Sequence, residues 1–147
     1  MSLEENKALV RRAYLDGLNH NHLSVLDDVF APDYVVHYPG LDPVVGLEPA
    51  KALIAEFMAA FPDIVFTIED QIAEGNKVAT RWSAHGHHLG PFSGFPAKTN
   101  TVPPTGRHVT FSATDIYRIV DGKIAEEWNT LEQLDVMQQV GLVPKVG

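Results

Sequence analysis

Asp115 lies in the run Phe111-Ser112-Ala113-Thr114-Asp115-Ile116-Tyr117. If that run is a strand, period-two alternation puts Phe111, Ala113, Asp115 and Tyr117 on one face. A carboxylate among apolar neighbours is costly unless it is protonated or hydrogen-bonded. Either that face meets solvent, or Asp115 occupies a polar spot inside a cavity, where perturbed carboxylates mark functional sites.

Histidine is the other residue type that moves protons near neutral pH. His85, His87 and His88 lie close together, His108 could fall on an adjacent strand, and His85 and His87 can share a face. A zinc site would ordinarily add a carboxylate or a second motif. No His-Glu-x-x-His element appears, so no metal is expected. His37, between Val36 and Tyr38, can point into a cavity or sit in water at a strand end. Tyr14 falls on the apolar side of the first helix, where a buried hydroxyl needs a partner. Trp82 and Trp128 suit a core or a pocket wall, and Arg81 faces away from Trp82. Gly-x-Ser-x-Gly is missing, so no Ser-His-Asp order is supported. The Gly94 region has no strand–glycine turn–helix unit, so neither a nicotinamide nor another nucleotide cofactor is expected.

These residues need elements to hold them. Ser2 with Glu5 forms a capping-box pattern. Leu9, Val10, Ala13, Tyr14 and Leu18 then recur at helical spacing, and Asn19–Asn21 breaks it. Leu23, Leu26, Val29 and Phe30 predict a second helix ended by Pro32. Tyr34–Tyr38 predicts a short strand stopped by Pro39-Gly40. Pro49 suits the first turn of a third helix with Leu53, Ile54, Phe57 and Phe61 inward. Strands follow at Ile64–Ile72, Val78–His85, Val109–Val120 and Ile124–Trp128, with Glu74-Gly75-Asn76 and Asp121-Gly122 as turns. Leu131–Val140 suits a short helix or an extended tail. Helices followed by an antiparallel meander predict an α+β fold. The Gly/Pro-rich stretch Leu89–Arg107 is long for a compact domain, and is expected to act as a lid or a dimer contact.

Composition narrows the field. The chain has 147 residues, enough for one domain over residues 1–147 with a core of its own. Hydrophobic residues make up 45% and charged residues 20%, a globular balance. The net charge of −8 disfavours nucleic acid and anionic membrane surfaces. With no cysteine there is no disulfide, thiolate nucleophile or Cys-based metal site. The polar N-terminus lacks a signal-peptide core, and no run of about 18 apolar residues spans a membrane. A cytoplasmic location is expected.

Several short motifs occur in order. They are Phe61-Pro62-Asp63, Gly90-x-Phe92, Pro103-Pro104-Thr105-Gly106-Arg107, Asp115-Ile116-Tyr117-Arg118-Ile119, Asp121-Gly122-Lys123-Ile124 and Glu126-Glu127-Trp128. Together they resemble the SnoaL-like polyketide cyclase family over about Asn6 to Gly141. The resemblance implies a cone-shaped nuclear-transport-factor-2-like domain: a curved antiparallel sheet wrapped by about three N-terminal helices around one pocket. It also implies cofactor-free ring closure by intramolecular aldol condensation. The cyclases' acid–base aspartate falls here on Asn129, which cannot exchange a proton near neutral pH but can donate to an oxyanion. Position 115 can be histidine in that family, and His88 matches its Gly-x-His-x-Gly histidine. Ala97–Val102 looks like an insertion before Pro103.

The superfamily's ketosteroid isomerases pair a helix-one tyrosine with a protonated aspartic acid as an oxyanion hole. Tyr14 and Asp115 fall at matching places, and the isomerase base falls on Tyr38. His37 is the nearest replacement, but His37 and Tyr38 cannot both enter a cavity from a regular strand. Limonene-type epoxide hydrolases need an Asp-Arg-Asp set whose last member would be Asn129.

The resemblance therefore implies an acid–base enzyme acting on a small apolar carbonyl compound by aldol cyclisation or isomerisation. Tyr14 and Asp115 would hold the oxyanion, His37 or His88 would move the proton and Asn129 would orient substrate. Tyr38, Trp82, Tyr117, Phe92 and Trp128 would line the pocket. The alternative is a non-catalytic binder of a small hydrophobic ligand. A homodimer is expected through the outer sheet face, to which Ile116 would contribute.

Overall fold

The computed structural model describes residues 1–145. Helix α1 (Leu3–Arg12) starts from the expected capping box: the Ser2 hydroxyl accepts from the Glu5 N–H, and Glu5 accepts from the Ser2 N–H. Glu4 and Glu5 open the helix and Arg11 and Arg12 close it, each sign matching the helix dipole. The chain then widens into a π-type turn, Ala13–Gly17, which carries Tyr14. Such widened turns are often found at functional sites. A 3-10 turn, Leu18–His20, ends at Asn21, whose φ of 53° is left-handed.

Helix α2 (Ser24–Val29) runs directly into β1 (Phe30–His37), so the strand begins before Pro32 rather than after it. Strand β2 (Val44–Val45) precedes α3 (Leu47–Ala60), which carries Pro49 in its first turn as expected. Strands β3 (Val65–Glu74), β4 (Lys77–His87), β5 (His108–Val120) and β6 (Lys123–Trp128) follow, then helix α4 (Gln133–Gln139). The fold is α+β, a six-stranded curved open sheet in the order β2-β1-β6-β5-β4-β3. Four neighbour pairs are antiparallel, while β1 and β6 run parallel. Helix α1 lies on β3 and β4, and α3 packs on β1.

The sheet has one inner face. Along β5 the inward residues are Val109, Phe111, Ala113, Asp115, Tyr117 and Ile119, in strict alternation. Strand β6 breaks that rule. Arg118 pairs with Glu126 but Ile119 pairs with Ile124, so Ala125 is an extra residue in the ladder. A bulge of this kind reverses which residues face inward beyond it. Ile124 and Glu127 therefore both point inside, and Glu126 and Trp128 point out.

Candidate active site

The helices and the concave sheet face enclose a cavity of about 90 Å³ with apolar and aromatic walls. Its polar groups come from a few strands and the π-type turn. Tyr14, Tyr34, Tyr38, Trp82, Asp115, Tyr117, Glu127 and Asn129 all line it. None of the described residues lining it is Lys, Arg or His.

Asp115 is the hub. It is 1% exposed, which removes the solvent-facing alternative. Its Oδ2 accepts from the Tyr14 and Tyr117 hydroxyls at 3.3 and 3.2 Å. Asn129 donates its Nδ2 to both carboxylate oxygens at 3.1 Å, and the Thr130 N–H reaches Oδ1 at 3.3 Å. These bonds compensate the burial of a carboxylate. The Tyr14 and Tyr117 hydroxyls are also within bonding reach of each other, and with one proton apiece they satisfy two of these three contacts at a time. Asn129 is oriented by its own carbonyl, which accepts from the Leu131 N–H at 3.2 Å. Its amide therefore presents N–H, not C=O, to Asp115.

Glu127 is the residue the sequence reasoning missed. It sits beside Asp115 and takes a hydrogen bond from the Tyr34 hydroxyl. Burial first, then the Asp115 charge, hold its carboxyl well above the usual carboxylate range. Burial likewise pushes the Tyr14, Tyr34 and Tyr117 hydroxyls well above the usual tyrosine range, with Tyr38 also raised. Strict alternation from Ile124 would turn Glu127 outward, and only the Ala125 bulge brings it in. A tight bulge of one ordinary residue leaves no signature in the sequence.

The other expected site residues divide. Tyr38, Trp82 and Tyr117 line the cavity together with Tyr14, Asp115 and Asn129. The Trp82 Nε1–H is buried without an acceptor among the described residues. His37 does not reach the cavity, because Tyr38 takes the inward position. Its Nε2 bonds Glu126 at 2.6 Å and its ring stacks on Trp128 at 5.4 Å, both on the outer face. Trp128 is therefore outside the pocket as well, turned out by the bulge. His88 is fully buried but away from the cavity lining, with its ring against Phe61 and Phe92 and its Nδ1 3.0 Å from the Thr105 hydroxyl. Burial lowers its pKa. Phe92 packs there too, bridged to Val102, rather than in the pocket.

His88 thus ties the two ends of the Leu89–Arg107 stretch, and its backbone pairs with Arg107 and Gly106. At the far end of that stretch Phe95 reaches the cavity, packing on Phe57 at 5.0 Å and Tyr38 at 5.7 Å. His85, His87 and His108 gather on the outer face, where His87 bonds Asp63 at 2.6 Å. Among the described residues no group of three or more ligating side chains could hold a metal ion.

A six-stranded curved open sheet with helices packed on it is a nuclear-transport-factor-2-like fold. Within that class the chain belongs to the SnoaL-like polyketide cyclase family, whose model matches residues 8–140. IdmH from Streptomyces antibioticus, a candidate polyketide cyclase, is 30% identical with a TM-score of 0.77, over 92% of this chain and 98% of its own. AclR from Streptomyces galilaeus, a candidate hydroxylase, is 28% identical with a TM-score of 0.85, over 99% of this chain and 87% of its own. A candidate SnoaL-like polyketide cyclase from Jannaschia sp. CCS1 shares the fold, at 24% identity and a TM-score of 0.84, over 96% of this chain and 94% of its own. No curated protein matches the chain significantly.

Proposed function

We propose that this protein is a cofactor-independent acid–base enzyme acting on a small, largely apolar carbonyl compound, by aldol cyclisation or isomerisation. The observation that carries the reading is the Tyr14–Tyr117–Asp115–Asn129 network at the wall of an otherwise apolar cavity. A ligand carbonyl lying there competes with Asp115 for the tyrosine protons; because the Tyr14 and Tyr117 hydroxyls also bond to each other, one of them can turn its proton to the ligand oxygen and stabilise charge developing there. The aromatic walls take up the apolar body and exclude water. Trp82 offers one more donor to a ligand oxygen. Asn129 serves as a fixed donor that holds Asp115. His37 and His88 are not assigned proton transfer, since neither touches the cavity.

Native mass spectrometry of freshly purified protein would show any retained molecule, and that scaffold then becomes the substrate tested. A bound cyclic ketone or hydroxy ketone that the protein turns over supports the reading. Asp115→Asn should then lower turnover by about 10²–10⁴-fold, the usual contribution of acid–base groups. Full turnover in that variant overturns the assignment. The second reading, a non-catalytic binder, draws on Asn129 at the position where the resembling cyclases hold their acid–base aspartate. Tight binding of the ketone with no turnover would favour it.

A further inference from the structure

We infer that Tyr38 holds a second oxygen of the ligand, so that the cavity takes a neutral hydroxy ketone: the ketone oxygen at Tyr14 and Tyr117, the hydroxyl at Tyr38. The inference rests on the carbonyl-processing reading of this cavity and names the substrate class within it.

Tyr14, Tyr34, Tyr38 and Tyr117 all line the cavity, but their hydroxyls are not used alike. Tyr14 and Tyr117 reach Asp115 at 3.3 and 3.2 Å. Tyr34 donates to Glu127. The Tyr38 hydroxyl bonds to no group among the described residues, although the residue is only 8% exposed. Buried polar groups are ordinarily paired, so a hydroxyl left over on a pocket wall is available to a ligand.

Local structure explains the exception. Tyr34, Val36 and Tyr38 follow one another on the inner face along β1 and the residue after it. Val36 pairs with Glu127 on β6, which sets Glu127 between the two tyrosines in the ladder, and it is Tyr34 that bonds the carboxyl. Asn129, whose N–H donates to the His37 carbonyl at 2.9 Å, is the next polar neighbour. Its side chain is committed to Asp115 and to the Leu131 N–H. Both neighbours thus bond elsewhere. The Tyr38 ring is held edge-on against Phe95 at 5.7 Å, which leaves its hydroxyl as the group without a role in the fold.

Charge sets the class of ligand. Burial first, then the Glu127 and Asp115 carboxyls, push the Tyr38 hydroxyl above the usual tyrosine range. It keeps its proton, and a neutral phenol both donates and accepts, which matches an alcohol on both counts. Asp115 takes hydrogen bonds from every group bonded to it, as a carboxylate does. None of the described residues lining the cavity is Lys, Arg or His. A ligand carboxylate or phosphate would therefore bring a second anion into a buried apolar space with no cation to meet it. A plain ketone leaves Tyr38 unpaired. A neutral ketone that also carries a hydroxyl satisfies both ends.

The test is calorimetric titration of the wild type and of Tyr38→Phe with 1-tetralone, its 4-, 5-, 6- and 7-hydroxy derivatives, and 1-tetralone-6-carboxylate. At least one hydroxytetralone should bind the wild type about tenfold more tightly than 1-tetralone, the worth of one well-made hydrogen bond. The carboxylate should bind no more tightly than 1-tetralone. Tyr38→Phe keeps the ring on Phe95, so it should abolish the preference and leave 1-tetralone affinity within a few-fold. Equal affinities across the hydroxy series in the wild type, with 1-tetralone bound, overturn the inference and leave the ketone reading standing, and this arm needs no variant to fold. A preference kept by Tyr38→Phe, or equal weakening of 1-tetralone and its hydroxy derivatives, overturns the role of Tyr38. A carboxylate bound more tightly than every hydroxytetralone overturns the neutral class. Failure of every tetralone to bind overturns the ketone reading itself.

Discussion

Asn129 turns its side-chain carbonyl to the Leu131 N–H, and that bond decides what its amide offers Asp115. An aspartate there would lose the donated hydrogen bonds and add a third carboxyl to a buried pair. Asn129→Asp should therefore lower stability at neutral pH by about 1–3 kcal/mol, the cost of leaving buried groups unsatisfied. The loss should shrink in acid, where the carboxyls are protonated, and chemical denaturation at two pH values would show it. Glu127 makes a related prediction. Its folded pKa lies above its free value of 4.5, so the folded chain keeps a proton the unfolded chain has released. The stability it contributes is complete below pH 4.5 and is lost as pH rises through the folded value. Glu127→Gln should flatten that fall, and parallel pH–stability curves for variant and wild type would contradict the shift. That Asp115 shares a face with Phe111, Ala113 and Tyr117 was legible in the sequence because β5 alternates without interruption, whereas the side that face turns to was not. Glu127 was not, because its orientation depends on a bulge.

Elements decide how such groups meet. The π-type turn after α1 carries Tyr14 to Asp115, 101 residues away in sequence. The helix was readable from its cap and its apolar spacing, whereas the widening of its last turn was not. The Leu89–Arg107 stretch was legible as a long covering loop, but which aromatic it presents was not. Phe92 is committed to the Phe61–His88 cluster, and Phe95 reaches the cavity instead. At about 90 Å³ the cavity is smaller than the roughly 150 Å³ that accommodates benzene. A ring-sized ligand must displace side chains, and Phe95 is the one borne on a loop. Phe95→Ala should speed binding of bicyclic ketones in stopped-flow mixing, while unchanged association rates would place the entry path elsewhere. The loop is anchored where Gly90 passes α3. A Cβ there would lie 2.2 Å from the Ala59 carbonyl oxygen. Gly90→Ala should cost about 1–3 kcal/mol through overpacking, measurable as a lowered melting temperature.

At the scale of the whole molecule, the sheet divides two kinds of chemistry. Its inner face holds the cavity. Its outer face carries His37, Trp128 and the His85–His87–His108 group, with Ile116 41% and Val120 40% exposed. The proposed homodimer would use this face, and sedimentation at micromolar concentration should give twice the chain mass, a monomer counting against it. No helix among the described residues is long and apolar enough to cross a membrane. Order of elements and family were readable because short motifs recur in sequence across nearly the whole chain. The assignment of the histidines was not, because a single position along β1 decides whether His37 or Tyr38 enters.

Polarisation of a bound carbonyl is the role proposed for the polar groups around Asp115. Its most direct test is the rate at which wild-type protein exchanges the α-protons of 2-tetralone with D2O, set against buffer and against Asp115→Asn. Exchange should run well above buffer in the wild type and fall by about 10²–10⁴-fold in the variant. A wild-type rate equal to that of buffer, with the ketone demonstrably bound, would contradict it.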